Sequence, residues 1–165
     1  MPTDEHYFLV MIVEPKGDGW AVRTCYAEAG TKVALSLTST TQTANDITAA
    51  VGLEPTEAWS VGEAHTHPRQ QQMGSYAFTR WTFCPDEYRP GTYDNRLRRL
   101  LELTEETAPR VGALGTTCDI SIPVAYMGYT HQMWGVGGAA KDIARMAALG
   151  ARLDIDLYAS GPDLN

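Results

Sequence analysis

Apolar residues follow two rhythms along this chain, and the switches between them mark out its elements. "YFLVMIV" (7–13) is continuously apolar with β-branched residues, which predicts a strand buried on both faces. "PKGDG" turns the chain, and "WAVRTCYA" (20–27) alternates well enough to return as the second strand of an N-terminal hairpin. In "VALSLTS" (33–39), Val33, Leu35 and Leu37 share one face of a half-buried strand. Thr43 stands three residues before Asp46, an arrangement in which each side chain satisfies an orphan backbone donor. It predicts a short helix to Val51, stopped by Gly52. The stretch 53–63 reads as extended or irregular, because Pro55 disfavours helix before it.

"SYAFTRWTF" (75–83) alternates again. Tyr76, Phe78, Arg80 and Thr82 lie opposite Ala77, Thr79, Trp81 and Phe83. Thr92 can cap the longest helix, whose stripe is Tyr93, Leu97, Leu100, Leu101, Thr104, Ala108 and Val111. Pro109 should kink or end it. A strand at 117–126 carries Cys118, Ile120, Ile122 and Val124 on one side, and 127–138 is a glycine-rich aromatic loop. The last helix runs over 139–149 with Ile143, Met146 and Ala147 inward. In the closing strand at 151–159, Leu153, Ile155 and Leu157 face in while Asp154 and Asp156 face out. Half-polar strands suit a sheet with helices on one face and water on the other. The expected fold is therefore a two-layer α+β domain with a mixed or antiparallel sheet; a doubly wound α/β fold is the alternative. One domain spans 1–165, a hairpin at about 7–27 being added to a βαβαβαβ core at about 33–159.

Charge narrows the choice of partner. The net charge of −7 opposes nucleic acid and anionic lipid and favours a basic protein. Arg96, Arg98 and Arg99 are the densest basic cluster, but Arg98 and Glu102 stand at helical spacing, which reads as a self-compensated, solvated face. The three cysteines form no close pair, pointing to a reducing compartment. No export signal or membrane-length apolar run is visible, so the expected location is the cytoplasm. Oligomeric state is left open.

"EAHTHPRQQQMGS" (63–75) is the sharpest chemical signal. His65-Thr66-His67-Pro68 followed by Ser75 resembles the metal loop of a JAMM/MPN-type zinc peptidase. Such a site needs two histidines and an aspartate to hold zinc, plus a glutamate base. Here Phe78 stands where that aspartate belongs, and two imidazoles alone grip zinc weakly. A polar loop without metal or other cofactor is the reading adopted, with a zinc site on His65 and His67 as the alternative.

Two other constellations remain. Tyr126, Tyr129, His131 and Trp134, on the glycine-rich loop, together with Trp81, are candidate partner- or ligand-binding residues, since aromatics bring large apolar area with few rotors. The competing reading folds the loop aromatics over the sheet as a lid. Asp119, Asp154 and Asp156 form a candidate acidic face. If their strands are neighbours, the carboxylates could bind a cation or act as acid and base; otherwise they are a solvated surface. The nucleotide-binding and nucleophile-elbow motifs are absent from the sequence.

The segments "DITAAVGLEPTEAWSVGE" (46–63) and "AALGARLDIDLYA" (147–159) resemble the bacterial domain of unknown function 4279 family. The likeness spans roughly 33–159. Its parts are a first strand, a short helix ending in a Leu-Gly-x-x-Pro-like turn, an aromatic strand, a long Leu-rich helix, and a closing L-x-x-D-x-Y-like strand. The hairpin at 7–27 and the long loop at 64–75 depart from that pattern. The resemblance implies a small bacterial α+β domain and brings no catalytic residues. The expected function is a binding or interaction protein without a catalytic centre, of immunity-protein type; the alternatives are a divergent zinc hydrolase and a small-ligand-binding domain.

Overall fold

Leu35 and Leu37 have no accessible surface, and the architecture is arranged to keep them so. They lie on β4 (Leu35–Ser39), which runs antiparallel to β8 (Thr79–Phe83) on one side and to β9 (Asp119–Tyr129) on the other. The computed structural model describes residues 7–66, 73–87, 91–129 and 135–161. Strand order in the main sheet is β10-β9-β4-β8-β5, with β5 spanning Glu57–Trp59 and β10 Arg152–Gly161. β3 (Lys32–Val33) also pairs with β9, and Ala34 breaks it from β4 while still donating to Pro123 O. Only β10 runs parallel to its neighbour β9. The mostly antiparallel pairing establishes the α+β class.

Helices α1 (Ala44–Val51), α2 (Tyr93–Thr104), α3 (Ala108–Ala113) and α4 (Ala140–Ala148) cover one face of this sheet. Their Ile47, Val51, Leu97, Leu100, Leu101, Val111 and Met146 join Leu35, Leu37, Trp81, Ile122 and Val124 in one cluster. Trp81 is fully buried and satisfies its indole by donating to Thr48 Oγ1 at 3.0 Å. Helix starts follow the capping logic. Thr43 Oγ1 accepts from Asp46 N while Asp46 accepts from Thr43 N, and Thr92 accepts from Asn95 N. Gly52, left-handed at φ 75°, closes α1 onto Thr48 O. The stripe of the long helix is buried as predicted, Ala108 only partly, but a single 3-10 turn at Glu105–Thr107 divides it before Pro109, which sits in the first turn of α3.

Several expectations fail, each for a tertiary reason. β1 (Tyr7–Lys16) and β2 (Gly19–Ala29) form the predicted hairpin, but as a separate two-stranded sheet, so the apolar run of β1 is not a buried strand. Leu9, Met11, Ile12 and Val13 are exposed. Of the alternating run at 75–83 only Thr79–Phe83, β8, is a continuous strand: Ser75 ends β7 (Met73–Ser75), 76–78 is a bend, and β7 pairs with β6 (Ala64–Thr66) inside the stretch read as a loop. On α4, Asp142 and Met146 point inward with Leu149 just beyond, while Ile143 and Ala147 are exposed. Leu153 and Leu157 share the helix-bearing face but lie at the sheet edge beyond the helices' cover, leaving only Ile155 partly buried. Arg96 is not on a solvated face: it is buried and donates to Gly91 O and Asp86 O. Arg98 makes no ion pair with Glu102. Among the described residues no helix is long and apolar enough to cross a membrane.

Leu100 lies at zero exposure within the core, so Leu100→Ala should cost about 2–5 kcal/mol in urea denaturation, with unchanged secondary structure by circular dichroism. The α1 cap gives a pH-dependent expectation. Hydrogen bonds from the Thr43 hydroxyl and then the Thr43 amide hold the Asp46 carboxyl below its ordinary value. A depressed carboxyl stabilises the fold above its unfolded pKa, and that contribution disappears as pH falls through the folded value. Thr43→Ala should therefore lower the folding midpoint in urea at neutral pH and flatten the acid limb of the stability–pH curve.

Candidate functional site

The uncovered face of the sheet is built from alternate residues of the same strands. On β4 these are Ser36 and Thr38; opposite them on β8 lie Thr82 and Arg80, and on β9 Ser121 and Asp119. At the β5 edge Trp59 pairs with Arg80 and Glu57 with Thr82. The period-two alternation that buries Leu37 and Trp81 thus puts hydroxyls, the Arg80 guanidinium, the paired charges of Asp119 and Arg152 and the Glu57 carboxylate on the open side.

A column of rings rises from Arg80. Its guanidinium carbon lies 5.7 Å from the Trp59 ring centroid, within cation–π range. Trp59 stacks on Tyr76 at 5.0 Å and 21°, and Tyr76 stacks on His65 at 4.4 Å and 17°. Local chemistry fixes each member. The turn after Trp59 closes with Glu63 N donating to Ser60 O, and the Glu63 carboxylate accepts from Ser60 N at 2.9 Å. Gly62, at φ 79°, lets that turn meet Tyr76, whose carbonyl accepts from Gly62 N while Tyr76 N donates to Glu63 O. Thr79 anchors the assembly from below: its hydroxyl accepts from Val61 N and donates to Gln42 O. On the β6–β7 hairpin His65 faces Gly74, where an added Cβ would lie 3.2 Å from His65 Cε1. The missing side chain is what gives the imidazole room to lie across the neighbouring strand.

Hydrogen bonding here is incomplete. Trp59 Nε1, Arg80 Nε, Thr82 Oγ1 and His65 Nδ1 are all buried and have no partner among the described residues. Arg80 also makes no ion pair there, although the chain carries 20 acidic residues. Leaving such donors unmatched costs on the order of 1–3 kcal/mol each, so folds rarely gather them in one place. A shallow depression of about 460 Å³, lined by Thr38, Ser39, Thr40, Phe78, Thr117 and Asp119, adjoins the column through Thr38. The site presents two fixed donors beside an aromatic wall. That is a geometry for holding an acceptor-bearing group.

The sequence-predicted residues are dispersed. Trp81 is in the core and offers no surface to a partner. Tyr126 is half-buried against the core, and the backbone of Tyr129 ends β9. His67, His131 and Trp134 lie outside the described residues. His65 is committed to the ring column, and among the described residues no three His, Cys, Asp or Glu side chains converge on a metal-sized site. Asp119, Asp154 and Asp156 share the open face without clustering. Asp154 pairs with Pro123 and Asp156 with Ala125, roughly 13 and 20 Å beyond Asp119 at ~3.3 Å per residue. Asp119 instead takes both its contacts, at 2.8 and 2.6 Å, from Arg152 Nη1. The three cysteines are also apart: Cys84 and Cys118 are buried, Cys25 is exposed, and burial pushes the Cys84 thiol up. Trp59, Tyr76, Arg80 and Thr82 escaped notice as a group. Tyr76, Arg80 and Thr82 were nonetheless legible as one polar side of an aromatic strand, with a lone charge in its middle.

If Arg80 serves a ligand rather than the fold, removing its charge relieves the molecule. Arg80→Met keeps a stem on Trp59, and its stability should match the parent or exceed it by up to about 1 kcal/mol in urea denaturation. A loss greater than that would make Arg80 a structural residue.

No curated protein and no solved structure matches the chain. A family model does match, over residues 28–160, which takes in the sheet, the helices and the ring column but leaves out nearly all of the β1–β2 hairpin. By that match the chain belongs to the family described as Domain of unknown function (DUF4279).

Proposed function

We propose that this chain is a cytoplasmic binding domain without a catalytic centre, and that the Arg80 column is where it grips a protein or peptide. One observation carries the reading: buried, unmatched donors of Trp59 and Arg80 stand together beside stacked rings. A peptide supplies carbonyl and carboxylate acceptors for those donors, and its apolar side chains lie against the aromatic wall. No cofactor is required. In this reading 1–165 is one domain, with the hairpin as an addition.

The net charge of −7 argues for a partner whose surface is basic overall. Opposite fields accelerate encounter, and local hydrogen bonds then fix register. Nucleic acid is a poor ligand for the same chain, since its phosphates meet that field with the wrong sign. The specific form of the proposal is an immunity-type role, in which the chain covers the basic active site of a toxin and Arg80 engages a carboxylate within it. A partner of that kind should lose at least about tenfold in affinity on Arg80→Met, equivalent to one charged hydrogen bond.

The site itself is testable without the partner. N-acetylglutamate, titrated to roughly millimolar concentrations, should shift the Trp59 indole N–H and the Arg80 Nε–H resonances saturably. N-acetylglutamine should shift them less, and Arg80→Met should abolish the response at Trp59. Silence of both resonances under these conditions would remove the column as a recognition site.

A further inference from the structure

The β1–β2 hairpin has an apolar face that no element among the described residues covers. In an antiparallel ladder, paired residues point to the same side. Met11 pairs with Cys25, Val13 with Val22, and Pro15 with Trp20, and the extra residue at the register shift is Arg23. One side of the ribbon therefore carries Leu9, Met11, Val13, Val22, Trp20 and Cys25, none of them charged, while the unpaired Arg23 is assigned to neither side by the register. Glu14 and Lys16 alternate onto the other side, where Val10 and Ala21 are half-buried. Both sides reach solvent, Ile12 being 43% accessible on the charged one, but the larger apolar area is on the uncharged side: Leu9 is 69%, Met11 59%, Val13 48%, Val22 58% and Trp20 73% accessible.

A lone two-stranded ribbon is marginal in water, and it gains stability by packing a face against something. We infer that this face is covered by the same face of a second copy of the chain, making a two-fold symmetric dimer. Area supports that occupant. The five apolar residues expose on the order of 600 Å² together, so two copies laid face to face bury at most roughly 1,200 Å², the size at which stable interfaces begin. Charge supports it as well. Each copy carries −7 overall, yet the ladder-paired residues of this face are neutral, so self-association brings no carboxylates together through them. A two-fold axis needs a patch complementary to itself, and an uncharged ridge of Leu, Met, Val and Trp meets that condition. The hairpin lies almost wholly before residue 28, where the family match begins, so the dimer is an addition of this chain to the family's domain. The inference does not depend on the Arg80 column.

Sedimentation equilibrium of the full chain should give twice the 18.1 kDa monomer mass at micromolar concentrations. Because net charge opposes the contact and apolar area drives it, raising salt should tighten the dimer rather than loosen it. Met11→Glu and Val22→Glu place carboxylates against carboxylates across the axis and should each weaken it on the order of 100-fold. Near-ultraviolet circular dichroism checks that the core around Trp81 is intact in these variants. Cys25 gives a second readout on the unaltered chain. Its reaction with an aromatic disulfide reagent should slow as the protein is concentrated, because dimerisation covers it. Three results overturn the inference: a monomer at all concentrations, a dimer indifferent to both substitutions, or a Cys25 rate independent of concentration. Binding of a monomeric chain to phosphatidylcholine vesicles would replace the second copy with a lipid surface and overturn it equally.

Discussion

The burial of β4 is the constraint from which the rest of the molecule follows. Five residues long, it gives two hydrogen-bonded edges to β8 and β9 and places Leu35 and Leu37 under the helical layer at zero exposure. A strand in that position cannot move without breaking two ladders at once. The helices are arranged to seal it, with α1 and α2 supplying Ile47, Val51, Leu97, Leu100 and Leu101 to the same cluster. Each of those side chains recovers transfer free energy of ~1.5–3 kcal/mol, which offsets the ordering of the chain around them.

Covering one face of the sheet decides the character of the other. Because β residues alternate, every apolar side chain placed under the helices puts its neighbour on the open side. That side received Ser36, Thr38, Arg80, Thr82, Ser121 and Trp59. A rigid strand therefore holds Arg80, while Trp59, Tyr76 and His65 reach it from a short edge strand, a turn and a small hairpin. The column is held by backbone hydrogen bonds around Ser60, Gly62 and Tyr76 and by the side chains of Glu63 and Thr79 accepting from that turn, rather than by a core of its own. Unmatched donors are tolerated in such a place because the buried face supplies the stability.

The hairpin and the column answer different physical demands. One exposes a row of paired apolar side chains, and the other exposes hydrogen-bonding capacity beside rings. The first suits extended, non-directional contact; the second fixes orientation. Their separation on the chain, one almost entirely before the family domain and one within it, allows the two surfaces to act independently.

Read alone, the sequence determined what short-range physics controls. The Thr43–Asp46 cap, the stop at Gly52, the Leu97–Leu101 stripe and the alternation of Cys118, Ile120, Ile122 and Val124 depend on residues within a turn or two, and the fold class followed from them. It also separated Arg80 and Thr82 from Trp81. It could not say whether an apolar strand finds a lid, so Leu9, Met11 and Val13 read as buried when they are exposed, and Leu153 and Leu157 read as inward when the helices stop short of them. Nor could it bring Trp59, Tyr76 and His65 together, since their contacts come from strand pairing and turn closure across the chain. Those pairings cost loop entropy that only the assembled sheet repays, and for that reason the tertiary structure alone decided where the candidate site stands.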